Sequence, residues 1–304
     1  MKRDFLTLWD LSSDEIEAVL KRAIALKAGK DASKCPLIGK SIGLLFEKAS
    51  TRTKVSFEVG IHQLGGQPVY MTSQEIQLGR GETVADTAKT LSRYLSAVII
   101  RTFEQEKIEE FAFHSSVPVI NALTDLHHPC QGLSDLMTIL EKKGRLKGIK
   151  LAYIGDGNNV ANSLIEASSR MQINLTIACP EGLEPNPDVL ERARENAKSE
   201  IIILRETKEA AGMADVIYTD VWVSMGQEEM TEGKKRKLAK YQLNNALLSC
   251  AKEDAVVMHC LPAKRGQEIT DEVMDSPRSI VFDQAENRLH SQKALLEFLL
   301  VSRP

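Results

Sequence analysis

The sequence predicts an α/β fold of two doubly wound parallel-sheet domains, with the active-site cleft expected between them. Short β-branched runs alternate with longer amphipathic stretches, the pattern of βαβ units around a largely parallel sheet. The series of runs starts again after the polar, glycine-bearing stretch 141–148, which reads as a helix end and a connector. A chain of 304 residues with 43% hydrophobic and 27% charged residues has enough apolar side chains for two cores.

In chain order, Ser12 with Glu15 three residues on forms a possible capping box, opening a helix that closes near Gly29. Strands are expected at 41–46, 68–71, 97–101 and 117–122, with helices between them. The second series is expected at 150–154, 174–178, 201–204, 216–219, 255–259 and 279–282. A last helix over 286–301 carries Leu289, Leu295, Leu296, Phe298, Leu299 and Leu300. The expected domains are therefore 1–146 and 147–285, with 286–304 as a terminal helical segment.

Composition removes several classes of partner. A formal net charge of -3 gives no electrostatic reason for a nucleic-acid or anionic-membrane partner, so any basic site is local. Met1-Lys2-Arg3-Asp4 leads into no apolar h-region, and no segment approaches the roughly 18 apolar residues of a membrane span, which suits a cytoplasmic protein. The five cysteines are scattered without CxxC spacing, which suits reduced thiols rather than disulfides or zinc. Cys35, Cys179 and Cys250 read as structural or incidental.

The chemistry-bearing residues follow apolar runs. After 41–46 come Glu47-Lys48-Ala49 and then Ser50-Thr51-Arg52-Thr53, where Val55, Phe57, Val59 and Leu64 begin a helical pattern. A helix start presents backbone N–H groups at its positive dipole end, and the hydroxyls and guanidinium add donors, so an anion such as phosphate fits. Ser50 or Thr51 serving only as an N-cap explains the tetrapeptide equally well, although a cap does not account for Arg52. Arg101 ends the run 97–100 at a strand's carboxyl edge, where its fork suits phosphate or carboxylate; a surface pair with Glu104 or Glu106 is the alternative.

Asp125-Leu126-His127-His128-Pro129-Cys130-Gln131 places Pro129 as a first-turn helix residue and His128 just before it, as a hydrogen-bonding group, a cap or a core histidine. Gly155-Asp156-Gly157-Asn158-Asn159-Val160 follows a strand and opens a helix, yet lacks the third glycine of a dinucleotide fingerprint; its paired amides suit a polar ligand such as an amino acid. Asp220, at a strand end, can pair with an ammonium group, and Cys260, within His259-Cys260-Leu261-Pro262, reads as a ligand-edge thiol or a buried small hydrophobe. Trp222 reads as packing.

Taken together, Ser50-Thr51-Arg52-Thr53, Arg101, His128-Pro129-Cys130-Gln131, Asp220 to Gly226 and His259 to Pro262 resemble the aspartate/ornithine transcarbamoylase family in order along almost the whole chain. Ser224-Met225-Gly226 with His259-Cys260-Leu261-Pro262 resembles the members whose acceptor is ornithine. The resemblance implies a carbamoyl-phosphate domain first, an ornithine domain second, a last helix packing back on the first, and a trimer or an assembly of trimers. It implies carbamoyl-phosphate contacts at Ser50, Thr51, Arg52, Thr53, Gln77, Arg101, His128, Gln131, Cys260, Leu261 and Arg288, and ornithine contacts at Asn159, Asp220, Ser224 and Met225. Arg101, His128, Asp220 and Cys260 are the expected catalytic set. Asn158 beside Asn159 leaves a one-residue ambiguity, and Lys54 stands where many relatives have arginine.

The implied activity is transfer of the carbamoyl group of carbamoyl phosphate to the side-chain amine of L-ornithine, as in arginine biosynthesis, with no cofactor and no metal. Other readings stay open on the residues alone: a transcarbamoylase using an acylated ornithine or putrescine, a dinucleotide-dependent oxidoreductase resting on Gly155-Asp156-Gly157, or a non-catalytic small-molecule binder.

Overall fold

The computed structural model describes residues 2–30, 34–72, 81–223 and 231–301. They form two compact units, Met1–Met137 with Asn287–Pro304, and Thr138–Glu286.

In the first unit, α1 (Ser13–Lys27) starts at the expected capping box: the Ser12 hydroxyl accepts from Glu15 N at 3.2 Å, and Ser12 N donates to the Glu15 carboxylate at 3.0 Å. There follow β1 (Ser41–Phe46), α2 (Thr51–Gln63), β2 (Gln67–Thr72), α3 (Val84–Leu91), β3 (Ala97–Arg101), α4 (Gln105–His114), β4 (Val119–Leu123) and α5 (Pro129–Lys143). The strands are all parallel, in the order β2-β1-β3-β4. Residues 97–100 of β3 are buried on both faces, which is why that strand reads as an unbroken apolar run.

The second unit holds β5 (Lys150–Ile154), α6 (Asn159–Met171), β6 (Asn174–Ala178), α7 (Pro187–Asn196), β7 (Ile201–Leu204), α8 (Thr207–Ala211), β8 (Val216–Thr219), α9 (Thr231–Leu238), α10 (Asn245–Leu248), β9 (Val256–His259) and α11 (Asp271–Met274). Its strands are parallel in the order β7-β6-β5-β8-β9. Its core gathers Ile154, Ile217, Val257 and Trp222, so Trp222 packs as expected. The last helix, α12 (Val281–Leu300), carries the chain back into the first unit.

One expected strand is absent. Residues 279–282 contribute a single bridge, Ser279 to Val257, and α12 begins at Val281, earlier than the expected 286. The reason is the composition of its inward face. Gln284, Asn287, Arg288, Ser291 and Gln292 recur at helical spacing and are buried, so the first turns present polar side chains where an amphipathic helix shows apolar ones. Elsewhere the differences are end effects: β4 begins at Val119 rather than 117, because the Pro118 carbonyl already accepts from Val98 N and proline has no N–H to return. Among the described residues no helix is long and apolar enough to cross a membrane.

Candidate active site

Both sheets reverse their direction of winding at one point, between β1 and β3 in the first unit and between β5 and β8 in the second. The crevice beyond the strand ends at such a point is where open α/β sheets bind ligands. The candidate residues gather at these two places.

In the first unit, Ser50 is the N-cap of α2, its hydroxyl accepting from Thr53 N at 3.2 Å. The cap explanation and the anion explanation therefore both apply: the cap takes one first-turn N–H, and helical geometry leaves those of Thr51 and Arg52 without an intrahelical acceptor. Arg101 pairs in register with Phe46, and its carbonyl accepts from Glu47 N at 2.8 Å, so the end of β3 lies beside the turn that leads to Ser50. Against β4 the register shifts between Ile100 and Arg101, an irregularity at the strand's carboxyl end. Arg101 is only 4% exposed, which rules out the surface pair with Glu104 or Glu106.

His128 caps α5 through its carbonyl, which accepts from Gln131 N and Gly132 N, while its imidazole is buried. Burial, reinforced by the charges of Arg288, Arg101 and Arg52, holds that imidazole well below the usual histidine range. It is therefore neutral at pH 7, with the charges of three arginines acting on it.

Arg288 reaches this place from α12. It donates to Gln131 Oε1 at 2.7 Å and to Thr53 Oγ1 at 3.2 Å, and the Gln292 amide oxygen accepts from its Nε and Nη2 at 3.1 Å each when the amide is turned to satisfy its neighbours. Gln131 in turn donates to Asp135 at 2.7 Å. Cys130, between His128 and Gln131, plays a packing part: burial pushes its thiol up to about 12, and it donates to the Asn121 carbonyl at 3.3 Å. One residue close to this cluster carries no assigned role in the sequence. Lys48 is buried over the Phe103 ring at 4.2 Å and ion-pairs with Asp125, tying the turn before Ser50 to the loop before His128.

In the second unit, Asn158 is placed by its hydrogen bonds. It is the N-cap of α6, its Oδ1 accepting from Val160 N at 3.0 Å and Ala161 N at 3.2 Å, and its Nδ2 donates to Asp220 Oδ2 at 2.7 Å. Asn159 is the first residue of the helix proper. The other Asp220 oxygen accepts from the Cys260 thiol at 2.9 Å, so Cys260 is a polar donor and not merely a buried hydrophobe. Asn158, Asp220 and Cys260 thus come from the ends of three neighbouring strands, β5, β8 and β9.

The dinucleotide alternative fails on two counts. The N–H groups at the start of α6 that would receive a pyrophosphate are taken by Asn158, and Gly157 serves protein packing: a Cβ there would stand 2.2 Å from the backbone of Glu184 and Pro185. Gly157→Ala is accordingly expected to destabilise the protein by about 2 kcal/mol or more, since only a backbone shift relieves the clash. Thermal unfolding measures this, and an unchanged midpoint would contradict it.

Cys260 and Leu261 are held from beneath. His259 Nδ1 accepts from Leu261 N at 2.9 Å, which places the ring proton on Nε2, facing Glu268 Oε1 at 3.1 Å. Leu261 takes a left-handed φ of 60°, a conformation that costs a non-glycine residue about 1 kcal/mol or more and that this bond helps to hold. Asp220, His259 and Cys260 bring ligand-type atoms within 4.8 Å of one another, but both His259 nitrogens and the Cys260–Asp220 pair are committed to hydrogen bonds, so the group acts as a polar network. Glu268 lies nine positions past His259, and nothing in the sequence pairs them. Gln77, Ser224 and Met225 lie outside the described residues.

Two parallel-sheet units, one joining Arg288 to Thr53 and Gln131 beside the buried His128 and one with a carboxylate, amide and thiol cluster, suit an α/β group-transfer enzyme. The comparisons place it within a family. Residues 3–141 match the aspartate/ornithine carbamoyltransferase carbamoyl-P binding domain, and residues 147–299 match the Asp/Orn binding domain of the same family. The chain belongs to the aspartate/ornithine carbamoyltransferase family. It is 53% identical over 302 residues to the ornithine carbamoyltransferase of Syntrophus aciditrophicus (strain SB), covering 99% of this chain and 100% of that one. Among solved structures, the ornithine carbamoyltransferase from Pyrococcus furiosus superposes with a TM-score of 0.95 at 47% identity, covering 100% of this chain and 98% of that one. The anabolic enzyme of the same name from Campylobacter jejuni subsp. jejuni NCTC 11168 gives 0.93 at 39% identity, covering 98% and 99%.

Proposed function

We propose that this chain transfers the carbamoyl group of carbamoyl phosphate to the side-chain amine of L-ornithine, giving L-citrulline and phosphate. The observation that carries the reading is Arg288, bonded to Thr53 at the start of α2 and to Gln131 beside the buried His128, whose imidazole is held low by burial and by Arg288, Arg101 and Arg52. The names of its full-length relatives supply the acceptor.

Carbamoyl phosphate brings a dianionic leaving group and a carbonyl carbon. The start of α2, with Arg52 and Arg101, holds the phosphate. Arg101, His128 and the Thr53 hydroxyl, which can donate while accepting from Arg288, polarise the carbonyl oxygen. Gln131 and Arg288 brace that arrangement, and Gln77, Cys260 and Leu261 complete the carbamoyl-phosphate contacts. Asp220 receives the α-ammonium of ornithine, and Asn159, Ser224 and Met225 complete the acceptor site. The amine lone pair attacks the carbamoyl carbon, the C–N bond forms, the C–O bond breaks with its electron pair leaving on phosphate, and the proton shed by the amine is taken up by that phosphate, which leaves as the dianion.

The attacking amine must be neutral, and an alkyl ammonium near the lysine reference of about 10.4 is largely protonated at pH 7. His128 stays neutral across this range because its imidazole is held low, so its titration does not mask that of the amine. Activity is therefore expected to rise from pH 6 to 9 at fixed subsaturating ornithine. A flat initial-rate profile would count against the mechanism.

Citrulline formation from carbamoyl phosphate and ornithine, measured beside acetylornithine and putrescine as acceptors, tests the function directly. The reading extends to arginine biosynthesis, a cytoplasmic location and a homotrimer. Exposed Val55 and Val59, one turn apart on α2, and Val69 on the edge strand β2 support assembly through the first unit.

A further inference from the structure

We infer that Lys234 sets the charge of the acceptor cluster, and with it the preference for an α-amino acid over a diamine. The inference rests on the acceptor role proposed for Asp220. β5 and β8 pair with Ile154 opposite Thr219, so Asp156 and Asp220 leave adjacent strand ends, and both carboxylates are buried. Asp220 is addressed by neutral donors, the Asn158 amide and the Cys260 thiol. Asp156 is addressed by a charge: Lys234 Nζ, from α9, lies 2.6 Å from its Oδ2, with the two side chains 13% and 8% exposed.

Burial pushes the Asp156 carboxyl above the ordinary aspartate range; the attraction of Lys234 opposes this and the neighbouring Asp220 adds to it. Two carboxylates and one ammonium leave a single net negative charge. That matches the α-ammonium of an amino acid and tolerates its carboxylate a few bonds away. Without Lys234, at a pH alkaline enough to keep Asp156 ionised, two carboxylates face the acceptor, which repels an α-carboxylate and suits a diamine. Lys234 is thus a positioning residue that acts through Asp156, and the reaction does not require it to touch substrate.

Initial-rate kinetics of full-length Lys234→Met with ornithine and with putrescine, at alkaline pH where Asp156 is ionised, tests this; where putrescine turnover is too slow, its Ki against ornithine replaces it. The ornithine KM is expected to rise about tenfold, the equivalent of one uncompensated charge, with kcat and the carbamoyl-phosphate KM little changed. The diamine-to-amino-acid preference should rise by a similar factor. Adding Asp156→Asn should restore the ornithine KM to within about threefold of wild type, and Lys234→Arg should behave as wild type. Lys234→Gln replaces the methionine variant if that one misfolds. An unchanged acceptor preference, or a double variant as impaired as the single one, overturns the inference and leaves Lys234 a tether of α9. Asp220→Asn separates the two levels: an unchanged ornithine KM in that variant defeats the acceptor site itself, whereas a damaged one beside normal Lys234→Met kinetics defeats only the role of Lys234.

Discussion

Arg101→Ala is expected to lower kcat/KM for carbamoyl transfer on the order of 10³-fold or more while the protein remains folded. The guanidinium stands at an irregular strand end and is asked both to hold the leaving phosphate and to stabilise the charge that grows on the carbonyl oxygen. Loss of a donor used most strongly in the transition state falls on kcat as well as on KM. Folding does not depend on it in the same way. Arg101 lies among positive groups, near enough to Arg52 and Arg288 for all three to hold down the His128 imidazole, so its removal also relieves repulsion in the substrate-free protein. Far-ultraviolet circular dichroism and a thermal melt, run beside the citrulline assay, separate the two effects. Wild-type turnover in a folded variant would remove Arg101 from the site.

Asp220→Asn is expected to cut kcat/KM for ornithine on the order of 10²-fold or more, while carbamoyl-phosphate binding stays within about twofold. The substitution keeps the shape but removes the charge that meets the α-ammonium. It also puts an amide nitrogen where the carboxylate now accepts from Asn158 or Cys260, so one of those donors faces another donor. Carbamoyl-phosphate affinity, measured by calorimetry without ornithine, reports chiefly on the first unit, whose arginines and helix start hold the phosphate. Equal losses for both substrates would argue against dividing them between the two units.

Much of the site can be read from the sequence because its residues follow strand runs. Ser50, Arg101, His128, Asp220 and Cys260 each stand one to five positions past an apolar segment, and the period of that segment gives away the strand end. The cap of α6 is not legible to one residue in Asn158-Asn159; the structure makes Asn158 the cap and bonds it to Asp220 at 2.7 Å. Residues such as Glu268, Lys234 and Lys48 escape a linear reading altogether. Each is a charged side chain of an ordinary surface type, and only burial against a partner nine, seventy-eight or seventy-seven positions away gives it a task. The missing tenth strand has the same origin, because the buried face of α12 is polar at its start and so conceals its helical period.

By itself, then, the sequence determined the α/β class, the two series of strands, the helix start at Ser50 with its arginine and the polar groups waiting past the strands. These follow from local periodicity, capping chemistry and turn residues, which act over a few positions. The order of strands was decided only in the folded chain. That order places the winding reversals between β1 and β3 and between β5 and β8, and so sets Arg101 beside the Ser50 turn and Asp156 beside Asp220. Strand order depends on which apolar faces bury one another across long stretches of chain, and the charge state of a buried His128 or Asp156 depends on the neighbours that this burial supplies.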